Sequence, residues 1–282
     1  MSAASSVHSE PGAQRRRRGL ALGTQAKLLV MLLVVSLVSS IAIGVIGVMN
    51  GRASLQDAAY DQLTTIRELR ADAIESEFSR LQTGVQLDSR NASAVEGARA
   101  FIDGFEQLEG ASIDPALEQR LQGFYDDEYL PALEARTGER YEAESFVPAT
   151  NAGRYLQAHY TSSRGLDDFE AALDAHDAGD GSAWSAANAQ YGPYFTGLVD
   201  TLEYEDVLLL NLDAEVVFSA YQSVDLGLSM RETVFQGSAL TRAFDTVLQS
   251  GSLDAVVTTD FERYLPSLGV PTAWVLSQSV VT

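Results

Sequence analysis

Residues 28–49, LLVMLLVVSLVSSIAIGVIGVM, carry no charge, and this run limits what the chain can become more than any other feature. At about 1.5 Å per residue it makes roughly 33 Å of helix, against a bilayer hydrocarbon core of about 30 Å. A water-soluble helix has no use for an apolar surface on every side through about six turns. The run also exceeds the apolar region of a signal peptide, typically about 7–15 residues, and no small-x-small cleavage site follows it. It reads as an uncleaved transmembrane helix with the lipid bilayer as its partner. Arg15, Arg16, Arg17, Arg18 and Lys27 stand on its N-terminal side, and Arg52 stands alone on the other. The positive-inside rule then puts residues 1–27, a basic tail that reads as largely disordered, in the cytoplasm, and residues 53–282 outside.

The charge divides at the same place. Nineteen Lys+Arg against 39 Asp+Glu give a formal net charge of -20. The first 52 residues contribute +5, with Glu10 as their single acid, so the outer residues carry -25. Nucleic acid is excluded as a partner, because its phosphates repel such a surface. The preference for Arg over Lys (Lys27 is the sole lysine) fits a GC-rich genome, and the acidity also fits salt adaptation; composition leaves both open. The absence of cysteine excludes a disulfide scaffold, a Cys-ligated metal and a thiol nucleophile.

Beyond the span the hydrophobic pattern is first helical. From Ala53 to Leu87 there is no proline and a single glycine, Gly84. Leu55, Ala59, Leu63 and Ile66, then Ile74, Phe78, Leu81 and Val85, recur at steps of three and four and share a face. Residues 53–92 are therefore expected to form a stalk helix whose stripe packs on the outer domain, on a second copy as a homodimer, or on both. Residues 93–202 read as a helical subdomain. Asp114-Pro115 is an N-cap followed by a first-turn proline, opening a helix over 115–136. A loop at Ser145–Pro148 precedes a further helix over 151–160. The acidic stretch 173–182 holds Asp174, Asp177 and Asp180, but counting from Asp174 puts Ser185 where a calcium loop needs Glu. It reads as a solvated loop.

From Glu203 the period changes to that of strands. Tyr204–Asn211 and Glu215–Tyr221 form an expected hairpin across Leu212-Asp213-Ala214, with Val207–Leu210 as a strand buried on both faces. An amphipathic helix follows over 237–250, through Leu240, Phe244, Val247 and Leu248, and then strands over 254–261 and 272–281. The expected fold class is α+β: one transmembrane helix, a stalk, a helical region, and a PAS-like antiparallel sheet over 203–282.

Several segments, in order, carry a family resemblance. YEDVLLLNLDAEVVFSAYQSVDLGLSM, then GSALTRAF, DFERYLPSLG and VPTAWVLSQSV, resemble the outer Cache-type sensor region of bacterial receptor-type class III adenylate/guanylate cyclases, related histidine kinases and chemoreceptors. Upstream, LTTIRELRADAIESEFSRL and AGDGSAWSAANAQYGPYF are similar to the stalk and Gly-Asp-x-Ser segments of the same family, so that the resemblance spans roughly residues 60–282. It implies a ligand-sensing module in the bacterial inner (plasma) membrane, ahead of a second span and an output domain that would follow Thr282. Two histidines of the family pattern are Asn188 and Gly192 here, and the family's amino-acid-binding signature is absent, so no named ligand carries over.

No catalytic set emerges. The histidines are His8, His159 and His176, and there is no nucleophile elbow, phosphate-cradling loop or HExxH. Asp126-Asp127 and Asp167-Asp168 are adjacent pairs whose side chains diverge into solvent. Neither cofactor nor metal is expected. If a small-molecule pocket lies between sheet and long helix, Arg154, Tyr204, Tyr221 and Tyr264 are the candidates to line it. The alternative to a sensor is a single-pass cell-envelope structural or adaptor protein with an acidic binding face.

Overall fold

The computed structural model describes residues 23–166, 170–231 and 234–279. Asp167-Asp168, His8, most of the basic tail and the end of the last expected strand lie outside the described residues. The chain divides into two compact units, Met1–Ala73 and Ile74–Thr282.

The described part of the first unit is the opening stretch of one helix, α1 (Thr24–Asp88). No residue of α1 is buried, and every large apolar side chain from Leu28 to Met49 is exposed. By length and composition this helix can cross a membrane. It continues unbroken through Asn50, Gly51 and Arg52, joining the expected span and stalk into one element. A lone glycine costs a helix about 1 kcal/mol relative to alanine, too little to stop one of this length without a proline.

The second unit begins on the last turns of α1, where Phe78, Leu81 and Val85 are half-buried while Ile74 remains exposed. Asn91 caps α2 (Ala92–Leu108) by accepting from the Ser93 N–H at 2.9 Å, and Asp114 caps α3 (Pro115–Gly123) by accepting from Ala116 at 2.8 Å. The expected single helix over 115–136 is interrupted. Phe124–Tyr129 widen into a π-helical turn before α4 (Leu130–Thr137). Pro131 explains the break, since its ring cannot donate to the ladder and pushes on the turn before it. After a 3₁₀ turn at Ala143–Ser145 come α5 (Asn151–Leu156), a second π-turn (Gln157–Thr161), the short α6 (Ser162–Arg164), and α7 (Ala183–Leu202).

α2 packs on α7, and the crossing sets the largest core. Phe101 of α2 lies 5.3 Å from the Trp184 ring and 4.5 Å from Phe218, with Phe195 alongside. Gly104 is what permits the approach: a Cβ there would fall 2.8 Å from the Trp184 backbone. A second cluster gathers Phe124, Tyr125, Tyr129, Leu133 and Phe146 around the first π-turn. A third lies between Val216, Leu228, Met230, Phe244 and Tyr264.

The expected hairpin forms as β1 (Leu208–Leu210) with β2 (Val216–Ser219), antiparallel and in register Leu208↔Ser219. Its burial reverses the expectation. Val207–Leu210 is only partly buried, whereas all of β2 is buried. β1 has a strand partner on one side only. β2 lies between β1 and the Gly227–Met230 segment, which exchanges backbone bonds with it (Val216 N–H to Leu228, Gly227 N–H to Val216). Trp184 closes over it by donating to the Val217 carbonyl at 2.8 Å.

The amphipathic helix appears as α8 (Ala239–Ser250), capped by Ser238. The expected outer strands pair as β3 (Val256–Thr258) with β6 (Val275–Ser277), but an additional pair, β4 (Glu262–Tyr264) with β5 (Val270–Thr272), lies between them in sequence. The described strands therefore make three small two-stranded sheets and not one four-stranded sheet. The last turns of α1 are fastened to the β3–β6 pair. Gln82 donates to Thr258 Oγ1 at 2.9 Å, Gln86 to the Asp254 carbonyl at 3.1 Å, and Ser279 to the Ser89 carbonyl at 2.8 Å.

Candidate functional site

The four residues expected to line a pocket have different neighbours. Arg154, on α5, forms an ion pair with Glu118 of α3. Tyr204 sits just past α7 with its hydroxyl against Gly84 of α1, and burial, then the charge of Asp88, raise its phenol. Tyr221 packs on the α2–α7 core, and its backbone N–H points at Asp206 Oδ1, 3.4 Å away. Tyr264, on β4, is 6% exposed and lies 4.9 Å from Trp274 ring to ring. Of the four, only Tyr264 lines either of the two spaces described below.

Two of them do meet a polar cluster that sequence reasoning missed, made by Asp206, Ser219, Asp225 and Tyr264. β2 ends at Ser219, whose hydroxyl donates to Asp206 Oδ2 at 2.9 Å. Asp206 Oδ1 accepts from the N–H groups of Val207 at 2.6 Å and Ala220 at 3.0 Å, so this carboxylate ties the start of β1 to the end of β2. Asp225 follows in the loop after β2, and the Tyr264 hydroxyl donates to its Oδ2 at 2.7 Å. Burial pushes the Tyr264 phenol well up and the Asp225 carboxyl up to about 6. Asp206 rises well above the usual carboxylate range, first by burial and then by the Asp225 charge.

The loop carrying Asp225 is held from behind. Gln157, fully buried in the second π-turn, donates to the Val224 carbonyl at 2.8 Å and the Leu226 carbonyl at 3.1 Å. Tyr125 fixes that amide by donating to Gln157 Oε1 at 2.7 Å, and Thr161 reaches the Gln222 carbonyl at 2.9 Å. The sequence signal was present in Val224-Asp225-Leu226, an acid between two apolar residues, and weaker at Asp206, which Glu205 precedes and Val207 follows.

Two spaces lie along β4, and Tyr264 lines the first. One is a cavity of about 30 Å³ between Phe235, Leu240, Tyr264 and Trp274, the room of a single water and too small for an organic ligand. The other is an open groove of about 320 Å³ lined by Glu139, Tyr141, Ser238, Glu262 and Arg263, within the range of small-molecule sites. The backbone N–H groups of Ser238, Ala239 and Thr241 at its edge are taken by the Phe235 carbonyl, Glu262 and the Ser238 hydroxyl, and the Arg263 guanidinium is paired with Glu139 at 3.3 Å.

The histidines lie elsewhere. His159 stacks on Tyr155 at 4.2 Å, and burial lowers its pKa. His176 reaches α7 from the acidic loop, so that a Cβ on Gly192 would fall 3.0 Å from its Nδ1 and 2.5 Å from Asn188 Oδ1. Among the described residues, no group of three His, Asp or Glu side chains is arranged to hold a metal. No protein-family model, curated protein or solved structure matches the chain.

Proposed function

We propose that this chain is a membrane-anchored sensor, with residues 53–282 forming the extracytoplasmic ligand-sensing module of a bacterial transmembrane receptor. α1 carries the reading: one helix contains both the apolar run 28–49 and the turns to which the β3–β6 pair is bonded. A rearrangement of the outer sheet that pulled on Gln82 or Gln86 would therefore act on the same rod that enters the bilayer. Leu55, Leu63 and Ile66, 73%, 63% and 46% exposed, give the stalk an uncovered stripe, which supports a homodimer through α1. The Cache-type segments support an adenylate/guanylate cyclase as the output.

The Arg263 groove is the proposed ligand site, suited to a small polar molecule able to meet both the Arg263 guanidinium and the Glu139 and Glu262 carboxylates. Thermal shift of the full chain in nanodiscs against a panel of amino acids, organic acids and sugars tests this. The expected result is a stabilising compound whose effect is lost in Arg263→Ala. No shift across the panel, together with capture of a protein partner by the acidic face, would favour the adaptor reading.

A further inference from the structure

Asp225 is 1% exposed, and its Oδ1 has no hydrogen-bond partner. A carboxylate in that position would leave one charged oxygen without a donor, which is costly away from water. The groups that face it do not supply a counter-charge. From the approach to β1 comes a second acid, Asp206; from β4 comes the Tyr264 phenol; from the first π-turn come Tyr125 and Tyr129. From the end of β2 comes Ser219, which has one proton and gives it to Asp206 Oδ2 at 2.9 Å. The proton that Ser219 gives to Asp206 is not available to Asp225 Oδ1, which is left without a donor. Asp206 is the opposite case, since its two oxygens already receive the Val207, Ala220 and Tyr221 N–H groups and the Ser219 hydroxyl.

We propose that Asp206 and Asp225 form a proton-binding site that holds a single proton between the two carboxyl groups, and that release of this proton destabilises the fold where β4 meets the Ser223–Gly227 loop. On release the O–H bond of the protonated carboxyl in the pair breaks, its electron pair stays on that carboxylate, and the proton passes to water. Two enclosed carboxylates then repel, and hydration of one of them is the available relief. The loop cannot yield easily, because Gln157 and Thr161 bind its carbonyls from the other side. β4 can, because it is three residues long and paired only with β5. The titration belongs to the acid pair and holds whether or not the chain is a receptor.

The sign follows from linkage. A native pKa near 6 against an unfolded 3.8 means that the folded state binds the proton more tightly. The resulting stability is complete in acid and is lost as pH rises through about 6. The test uses the full chain in nanodiscs. Infrared spectroscopy should find a protonated buried carboxyl at mildly acidic pH that titrates away in wild type and is missing in Asp225→Asn. In denaturant titrations, the unfolding constant of wild type relative to Asp225→Asn should rise about a hundredfold from acid to about pH 8, whereas the exposed control Asp213→Asn should leave that dependence in place. Should Asp225→Asn not fold, the infrared band of wild type decides alone. Absence of a titrating protonated carboxyl, or a wild-type to Asp225→Asn ratio that does not change with pH, overturns the proposal.

Discussion

Tyr264 contributes in two ways at once: its ring fills the third core cluster between Phe235 and Trp274, and its hydroxyl satisfies Asp225. Tyr264→Phe keeps the ring and removes the bond, and should cost about 1–3 kcal/mol in denaturant titrations because the abandoned acceptor is buried. A cost indistinguishable from zero would mean that Asp225 finds another donor. His159 should titrate with the opposite sign to the acid pair. Burial lowers its pKa from 6.5, so the unfolded state binds its proton more readily, and its contribution to stability is lost as pH falls below about 6.5. His159→Gln should therefore flatten the acid side of the stability profile and leave the alkaline side intact, as read from melting temperatures across pH. At this scale the sequence was only partly legible. The apolar flanks of Asp225 are visible in one dimension, but its meeting with Asp206 depends on β1 folding back along β2, and its meeting with Tyr264 on β4 arriving from beyond α8.

The elements themselves follow local rules where those rules are strong. Asn91 and Asp114 cap their helices, the stripe Phe78–Leu81–Val85 turns inward, and α8 starts at Ser238 within a residue or two of its pattern. The β4–β5 pair was not legible because its neighbourhood, Tyr264-Leu265-Pro266-Ser267-Leu268-Gly269-Val270-Pro271, reads as loop. Pro271 lies inside β5, where it is tolerated only because this two-stranded sheet consists of edges. Likewise β2, and not the more apolar β1, became the central strand, because the Gly227–Met230 segment returns along its far edge. That return is a long-range event with no local signature. The α2–α7 crossing gives the clearest prediction at this scale. Gly104→Ala must push the Trp184 backbone away from a contact of 2.8 Å and should cost about 1–3 kcal/mol. Gly110→Ala, which meets nothing within 4 Å, should be near neutral. Equal stability of the two variants would remove close helix approach as the reason for Gly104.

For the whole molecule, the uncharged run 28–49 was the most legible feature and also the one on which the functional account depends. Its side chains are exposed all around α1, a surface that water penalises and lipid accepts. The split of charge, +5 before Ala53 and -25 after it, is the basis of the proposed orientation. The stalk continues the span as one uninterrupted helix, as its lack of proline leads one to expect, and neither Gly47 nor Gly51 breaks it. Because the chain contains no cysteine, its topology can be read cleanly from single introduced thiols. The measurement is labelling of Ser9→Cys and Asp213→Cys in intact cells with a membrane-impermeant thiol reagent. The account predicts that Asp213→Cys is labelled at once, and Ser9→Cys only after the membrane is permeabilised. Labelling in the reverse order, or recovery of the chain in the soluble fraction, would contradict it.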